Sequence, residues 1–99
     1  MRSVPEEAAV GEAYAFLGNA AEARKVLDRL MARSKNRYVP AYAIALIYAG
    51  LGEREHVLEW LQSAYDEHST SMAYLKVEPS LHAFRSDPRF AAIAQSIRF

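Results

Sequence analysis

A chain of 99 residues, 52% hydrophobic and 24% charged, has the size and composition of one small globular domain. Lys+Arg and Asp+Glu balance at 12 each, which argues against disorder and against a dedicated nucleic-acid binder, whose affinity comes mainly from neutralising phosphates. With no cysteine, a disulfide scaffold, a thiolate metal site and a Cys nucleophile are all excluded. A domain of this length buries only about 60–65% of its unfolded surface, so its core has little in reserve. No apolar run approaches the roughly 20 residues of a membrane span and the N-terminus lacks a signal-peptide core, so a cytoplasmic location is expected.

In chain order, the first predicted helix carries Val10, Tyr14 and Leu17 at helical spacing and stops at Gly18-Asn19, a C-cap and turn signal. A second places Ala23, Val26, Leu27, Leu30 and Met31 along one stripe and exits through Ser34-Lys35-Asn36-Arg37. A third opens near Pro40, carries Ala41, Ile44, Ala45, Ile47 and Tyr48, and meets Gly50-Leu51-Gly52. The fourth holds Val57, Trp60, Leu61 and Ala64 and runs to about Glu67. Beyond it, a short helix is expected over Ser71 to Lys76, a turn over Pro79 to Phe84, and a last helix from Pro88 to Ile97 after an Asp87 N-cap. The period is 3.6 throughout, so the fold class is all-α.

An offset of 34 residues superimposes the first helix pair on the second. Tyr14 falls on Tyr48, Ala15 on Ala49, Leu17 on Leu51, Gly18 on Gly52 and Leu27 on Leu61. Small or modest residues also coincide, Gly11 with Ala45, Ala23 with Val57 and Leu30 with Ala64. Antiparallel helices on a short turn pack closely only where Gly or Ala on one faces a large side chain on the other. Gly11 and Ala45 are expected opposite neighbours such as Tyr14 and Leu27, and Leu at position 45 should overpack the interior by roughly 1–3 kcal/mol.

These residues resemble the tetratricopeptide repeat, whose 34-residue unit spaces a small residue, an aromatic, Gly, Ala, a large apolar residue and Ala along two helices. The chain supplies Gly11, Tyr14, Gly18, Ala23, Leu27 and Leu30, then Ala45, Tyr48, Gly52, Val57, Leu61 and Ala64. It departs from the pattern where the family carries an early Trp, since Glu7 and Ala41 stand there, and at Lys35, where the family ends a unit with Pro. The resemblance implies an α-solenoid of antiparallel helix pairs: repeat 1 over 4–36, repeat 2 over 38–69, and a degenerate capping repeat over 70–99. In that third unit Ser86 takes the glycine slot and Ala91 the alanine slot, while Pro79 breaks the first helix; Leu81, Phe84, Phe90 and Ile93 are the expected lid. The tail also looks like the closing segment of such arrays in bacterial signalling proteins with transcription, kinase or cyclase domains upstream, so the chain is expected to be the C-terminal part of a larger protein.

No constellation for chemistry stands out. His56, His68 and His82 form no metal-ligand spacing, and His56 is expected solvated or lightly packed. Glu6-Glu7 and Asp66-Glu67 lie at helix ends, and neither a Ser–His–Asp set nor a phosphate loop is evident. No catalytic residue, cofactor or metal is assigned, and the chain reads as non-enzymatic. The second helix is basic (Arg24, Lys25, Arg29, Arg33) and the fourth acidic (Glu53, Glu55, Glu59, Asp66), so the two are expected to meet across the repeat boundary.

Tetratricopeptide arrays bind extended peptides or helices in the groove lined by the first helix of each unit. The resemblance maps that groove onto Glu12 and Phe16 from unit one and Val39, Tyr42 and Leu46 from unit two. The Lys, Asn and Arg that grip a peptide carboxylate in one variant of the family are replaced here by Ala8, Glu12, Val39 and Ala43, so that clamp is missing. Three readings of the apolar floor stand: core covered by the tail or by further chain, a bound peptide or amphipathic helix, and a second copy. The expected function is a protein-interaction module with a protein or peptide partner, without nucleic acid or membrane; the alternative is a self-associating scaffold, a homodimer through exposed repeat surface.

Overall fold

The structure, a computed structural model, describes residues 3–67, 75 and 78–96. Those residues are all-helical, with no strand among them. In order they form α1 (Val4–Phe16), α2 (Ala20–Arg33), α3 (Ala41–Leu51), α4 (Arg54–Asp66), a 3-10 helix (Pro79–Phe84) and α5 (Pro88–Ser96). The last two match the expected turn and helix, except that Ile97 lies outside the described residues. So does the helix expected over Ser71 to Lys76, apart from Leu75, which is fully buried.

The turn chemistry repeats with the sequence. The Asn19 amide donates to the Tyr14 carbonyl (2.9 Å) and, 34 residues on, the Glu53 amide donates to the Tyr48 carbonyl (3.1 Å). Gly18 (φ +83°) and Gly52 (φ +74°) both adopt the left-handed conformation that lets the chain close these bonds. The next helix then starts the same way twice, with Ala23 donating to the Asn19 carbonyl and Val57 to the Glu53 carbonyl. The caps differ in chemistry. Asn19 accepts from the Glu22 amide through its side chain, while Glu53 makes no such cap and sends its carboxylate to Arg24 and His56.

α1 packs on α2, α3 on α4, and α1 lies against α3, with the 3-10 helix on α3 and α5 on α4. α3 buries Ala41, Tyr42, Ile44, Ala45, Leu46, Ile47 and Ala49, because it has neighbours on nearly every side. α2 and α4 each bury one stripe, Ala23, Val26, Leu27 and Leu30 in the first and Val57, Leu58, Leu61 and Ala64 in the second. Two cores result. One gathers Val26, Leu27, Leu30, Val39, Ile44 and Ile47; the other gathers Tyr42, Leu46, Leu58, Leu61 and the tail residues Leu75, Leu81, Phe84, Phe90 and Ile93. The four expected lid residues are therefore core. Ala45 is also fully buried, so Ala45→Leu should lower the thermal midpoint, by roughly 1–3 kcal/mol in unfolding free energy.

Three packing expectations need correction. α1 does not bury the stripe of Val10, Tyr14 and Leu17; it buries Glu7, Ala8, Gly11 and Ala15, and Leu17 is 80% exposed. Lying between α2 and α3, α1 presents its small residues where helices approach most closely. Gly11 accordingly faces Val26 and Ile47: a Cβ there would meet Val26 Cγ1 at 2.7 Å and Ile47 Cδ1 at 2.8 Å, so the closest contacts are not Tyr14 and Leu27. Finally, the basic face of α2 reaches the acidic segment through Arg24, which pairs with Glu53, the N-cap residue of α4, while other charges of the two helices pair elsewhere. Arg29 pairs with Glu7 of α1, Lys25 with Glu22 of its own helix, and Glu55 with Arg89 of α5.

An ionic latch holds the tail. Asp87 is buried and accepts from the Arg89 amide (2.8 Å), capping α5, and from Arg54 of α4 (3.0 Å). Arg89 forks onto Glu55 (2.7 and 3.0 Å), while Arg54 also lies over the Phe84 ring at 5.5 Å. The hydrogen bonds from the Arg89 side chain and amide, then from Arg54, hold the Asp87 carboxyl well below the usual carboxylate range. A depressed folded pKa contributes stability that is complete above the ordinary value and lost as pH falls through the folded one. Acid titration of the urea midpoint should therefore show an Asp87 contribution intact down to about pH 4 and fading below it. Asp87→Asn should weaken tail docking already at pH 7 and remove that acid-dependent component. An identical acid profile in the variant would show that the latch carries no stability.

Candidate functional site

Of the five residues expected to form the groove, the structure brings three together. Glu12 of α1 and Tyr42 and Leu46 of α3 line a groove of about 240 Å³ between the two helices, walled further by Ala8, Pro40 and Ala43. Val39 is not among them. It is 8% exposed and belongs to the core under α1 and α2. Phe16 is also elsewhere, 53% exposed at the end of α1, where it leans on the bare backbone of Gly50.

Tyr42 and Leu46 are also more buried than an open floor would be, because the tail packs in the same core. Tyr42 is 6% exposed and its hydroxyl is buried without a hydrogen-bond partner. A buried phenol normally finds one, so an orphan is a feature to be explained. Two carboxylates stand within electrostatic reach of that hydroxyl, Glu78 from the tail and Glu12 from α1. Burial, then Glu78 and Glu12, push the Tyr42 phenol far above its ordinary value. Burial, then the charge of Glu78, likewise raises the Glu12 carboxyl. The groove is thus apolar on most of its walls, with Glu12 the carboxylate among its lining residues.

A larger groove of about 650 Å³ runs between α4 and α5. Several of its polar groups are engaged with one another or nearby, Glu55 with Arg89, Gln62 with Asp66, and the Tyr65 hydroxyl with the Ser96 carbonyl.

Among the described residues no group of three or more His, Asp or Glu is placed to hold a metal ion, and no helix is long and apolar enough to cross a membrane. His56 is exposed and stacks on Tyr48, with ring centroids 4.6 Å apart. His68 lies outside the described residues.

Sequence reasoning missed two acidic residues. Glu7 is 4% exposed and pairs with Arg29, although a glutamate in a first helical turn ordinarily faces water. Its place in the slot of a large aromatic was the available signal. Glu78 lies 36 residues beyond Tyr42, and nothing local marks it as a neighbour.

Comparison of the chain with protein-family models, with curated proteins and with solved structures finds no match.

Proposed function

We propose that the chain is a non-enzymatic protein-interaction module, two tetratricopeptide-like helix pairs with a capping tail, that binds an extended peptide between α1 and α3. The repeat reading is supported by the turn hydrogen bonds that recur at Gly18 and Gly52 and by the buried stripes of α2 and α4, which coincide at Ala23 and Val57, Leu27 and Leu61, and Leu30 and Ala64. The observation that carries the function is the largely apolar α1–α3 groove lined by Glu12, Tyr42 and Leu46. An apolar cleft between two helices with a carboxylate at its edge suits a chain that fills the space.

The test is selection of a phage-displayed library of random dodecapeptides on the immobilised chain, with Ala9→Trp as the control. Ala9 is exposed and lines the groove, so Trp there fills the cleft without entering either core. Sequences enriched on the wild type and lost on Ala9→Trp support the module; no enrichment sinks it. The second reading, a self-associating scaffold, draws on the adjacent exposed pair Phe16 and Leu17. A mass that doubles with concentration, and stays monomeric in Leu17→Glu, would favour it.

A further inference from the structure

We propose that the α4–α5 groove seats a second copy of this chain, which enters it with the turn Lys35-Asn36-Arg37-Tyr38 in a head-to-tail, salt-sensitive contact. The contact uses neither the α1–α3 cleft nor the Phe16–Leu17 pair, so it goes beyond both readings above.

Folding leaves a segregation of charge in place. The chain has a formal net charge of zero, yet from Arg29 to Gly52 it carries Arg29, Arg33, Lys35 and Arg37 and no acid. From Glu55 to Glu67 it carries Glu55, Glu59, Asp66 and Glu67 and neither Lys nor Arg. The two stretches do not neutralise each other within one chain. Arg29 is taken by Glu7 and Glu55 by Arg89, while Lys35, Arg37, Glu59 and Glu67 enter no ion pair among the described residues. A neutral molecule with opposite charges left at separate places is steered to set the basic part of one copy on the acidic part of the next.

The two surfaces match in chemistry. The groove, about 650 Å³, has Leu58, Tyr65, Ala92 and Ile93 as its apolar lining, and Glu59 stands exposed on its α4 wall. Gln62 of the same wall hydrogen-bonds Asp66, a second exposed carboxylate. Glu59 and Asp66 lie two helical turns apart, about 10 Å along α4. The incoming turn presents Tyr38, 64% exposed, with Lys35 and Arg37 exposed beside it. An aromatic ring on an apolar floor, flanked by flexible cations that reach carboxylates at the rim, is how Tyr and Arg anchor interfaces. Phe16 and Leu17 are the other large exposed apolar residues among those described, but the segment from Ser3 to Ala23 holds no Lys or Arg, so they suit an acidic wall less well. None of residues 35–38 lines the groove of its own chain, so the contact joins two copies. Knob and groove are different surfaces, so each pairing leaves one of each free and the assembly grows beyond two chains.

The test is the mass of the whole chain by analytical ultracentrifugation, from about 10 μM to about 1 mM. In about 0.01 M sodium chloride the average mass should climb with concentration past two chains. In about 1 M it should fall back toward one, as the screening length shortens from about 30 to about 3 Å. Tyr38→Ala removes the knob and Ala92→Trp fills the groove; both positions are exposed, so both variants should keep the wild-type circular dichroism. Each alone should be monomeric. Their equimolar mixture should form a species of two chains and no larger, the Ala92→Trp copy lending its knob to the intact groove of the other. Glu59→Lys, an exposed charge swap, should weaken association about tenfold or more at low salt. Leu17→Glu should associate as wild type does. A wild type that stays monomeric at low salt, or an association indifferent to salt, Tyr38→Ala and Ala92→Trp, would overturn the proposal. So would folded variants whose mixture stays monomeric, since that describes a symmetric dimer. Association lost in Leu17→Glu but kept in Tyr38→Ala would assign the assembly to Phe16 and Leu17 instead.

Discussion

Leu81→Ala is expected to lower the unfolding free energy by about 2–5 kcal/mol, a large share of what a domain of this size possesses. Leu81 sits in a six-residue 3-10 helix near the end of the chain, a place where truncation ordinarily matters little. Here it is fully buried in one core with Tyr42, Leu61 and Phe90, so its removal leaves a cavity among side chains from α3, α4 and α5. If the tail were a surface appendage, the same change would stay within about 0.5 kcal/mol. Urea unfolding followed by far-ultraviolet circular dichroism distinguishes the two. The consequence for the groove follows directly, since Tyr42 shares that core, and a loosened tail would expose it.

The second large effect belongs to Gly50. A Cβ at this position would lie 2.6 Å from the Ala15 Cβ and 3.2 Å from the Ala15 carbonyl carbon. No rotamer relieves contact with a helix backbone, so any larger residue must push α1 away from α3. Intrinsic propensity points the other way, because glycine inside a helix costs about 1 kcal/mol relative to alanine. For Gly50→Val the propensity gain is only a few tenths of a kcal/mol, while overpacking reaches about 3 kcal/mol, so destabilisation wins. Thermal unfolding should show a clear loss, and a neutral outcome would mean that α1 and α3 stand further apart than described. Gly11 is the useful comparison. A Cβ there meets only side-chain ends of Val26 and Ile47, which have more freedom to shift, so Gly11→Ala should be the milder change.

The helices and their order were legible because the signals are local. Gly18 and Gly52 mark turns that need a left-handed residue, and the stripes of α2 and α4 are one-sided enough to read from spacing alone. α1 was misread because its buried face is built from Ala8, Gly11 and Ala15, which carry little hydrophobic signal, while its bulkier Leu17 is left in water. The groove was legible in part. Glu12, Tyr42 and Leu46, mapped from the family resemblance, line one cleft, but Val39 and Phe16 lie at helix boundaries and are not among its lining residues. Glu78 and the burial of Tyr42 depend on how the tail folds back, a contact between distant parts of the chain that no local pattern encodes. Glu7 with Arg29 is the same kind of case, a partner one helix away.

Trp60, the sole tryptophan, and Tyr48 are partly buried against both cores at once. Each core therefore borrows a wall from the other. Such shared walls set how far disorder spreads once one core opens: a half-open chain would strip the surviving core of Trp60 and Tyr48 and survive poorly. Melting is therefore expected to be all-or-none, with the single indole emission following both cores together.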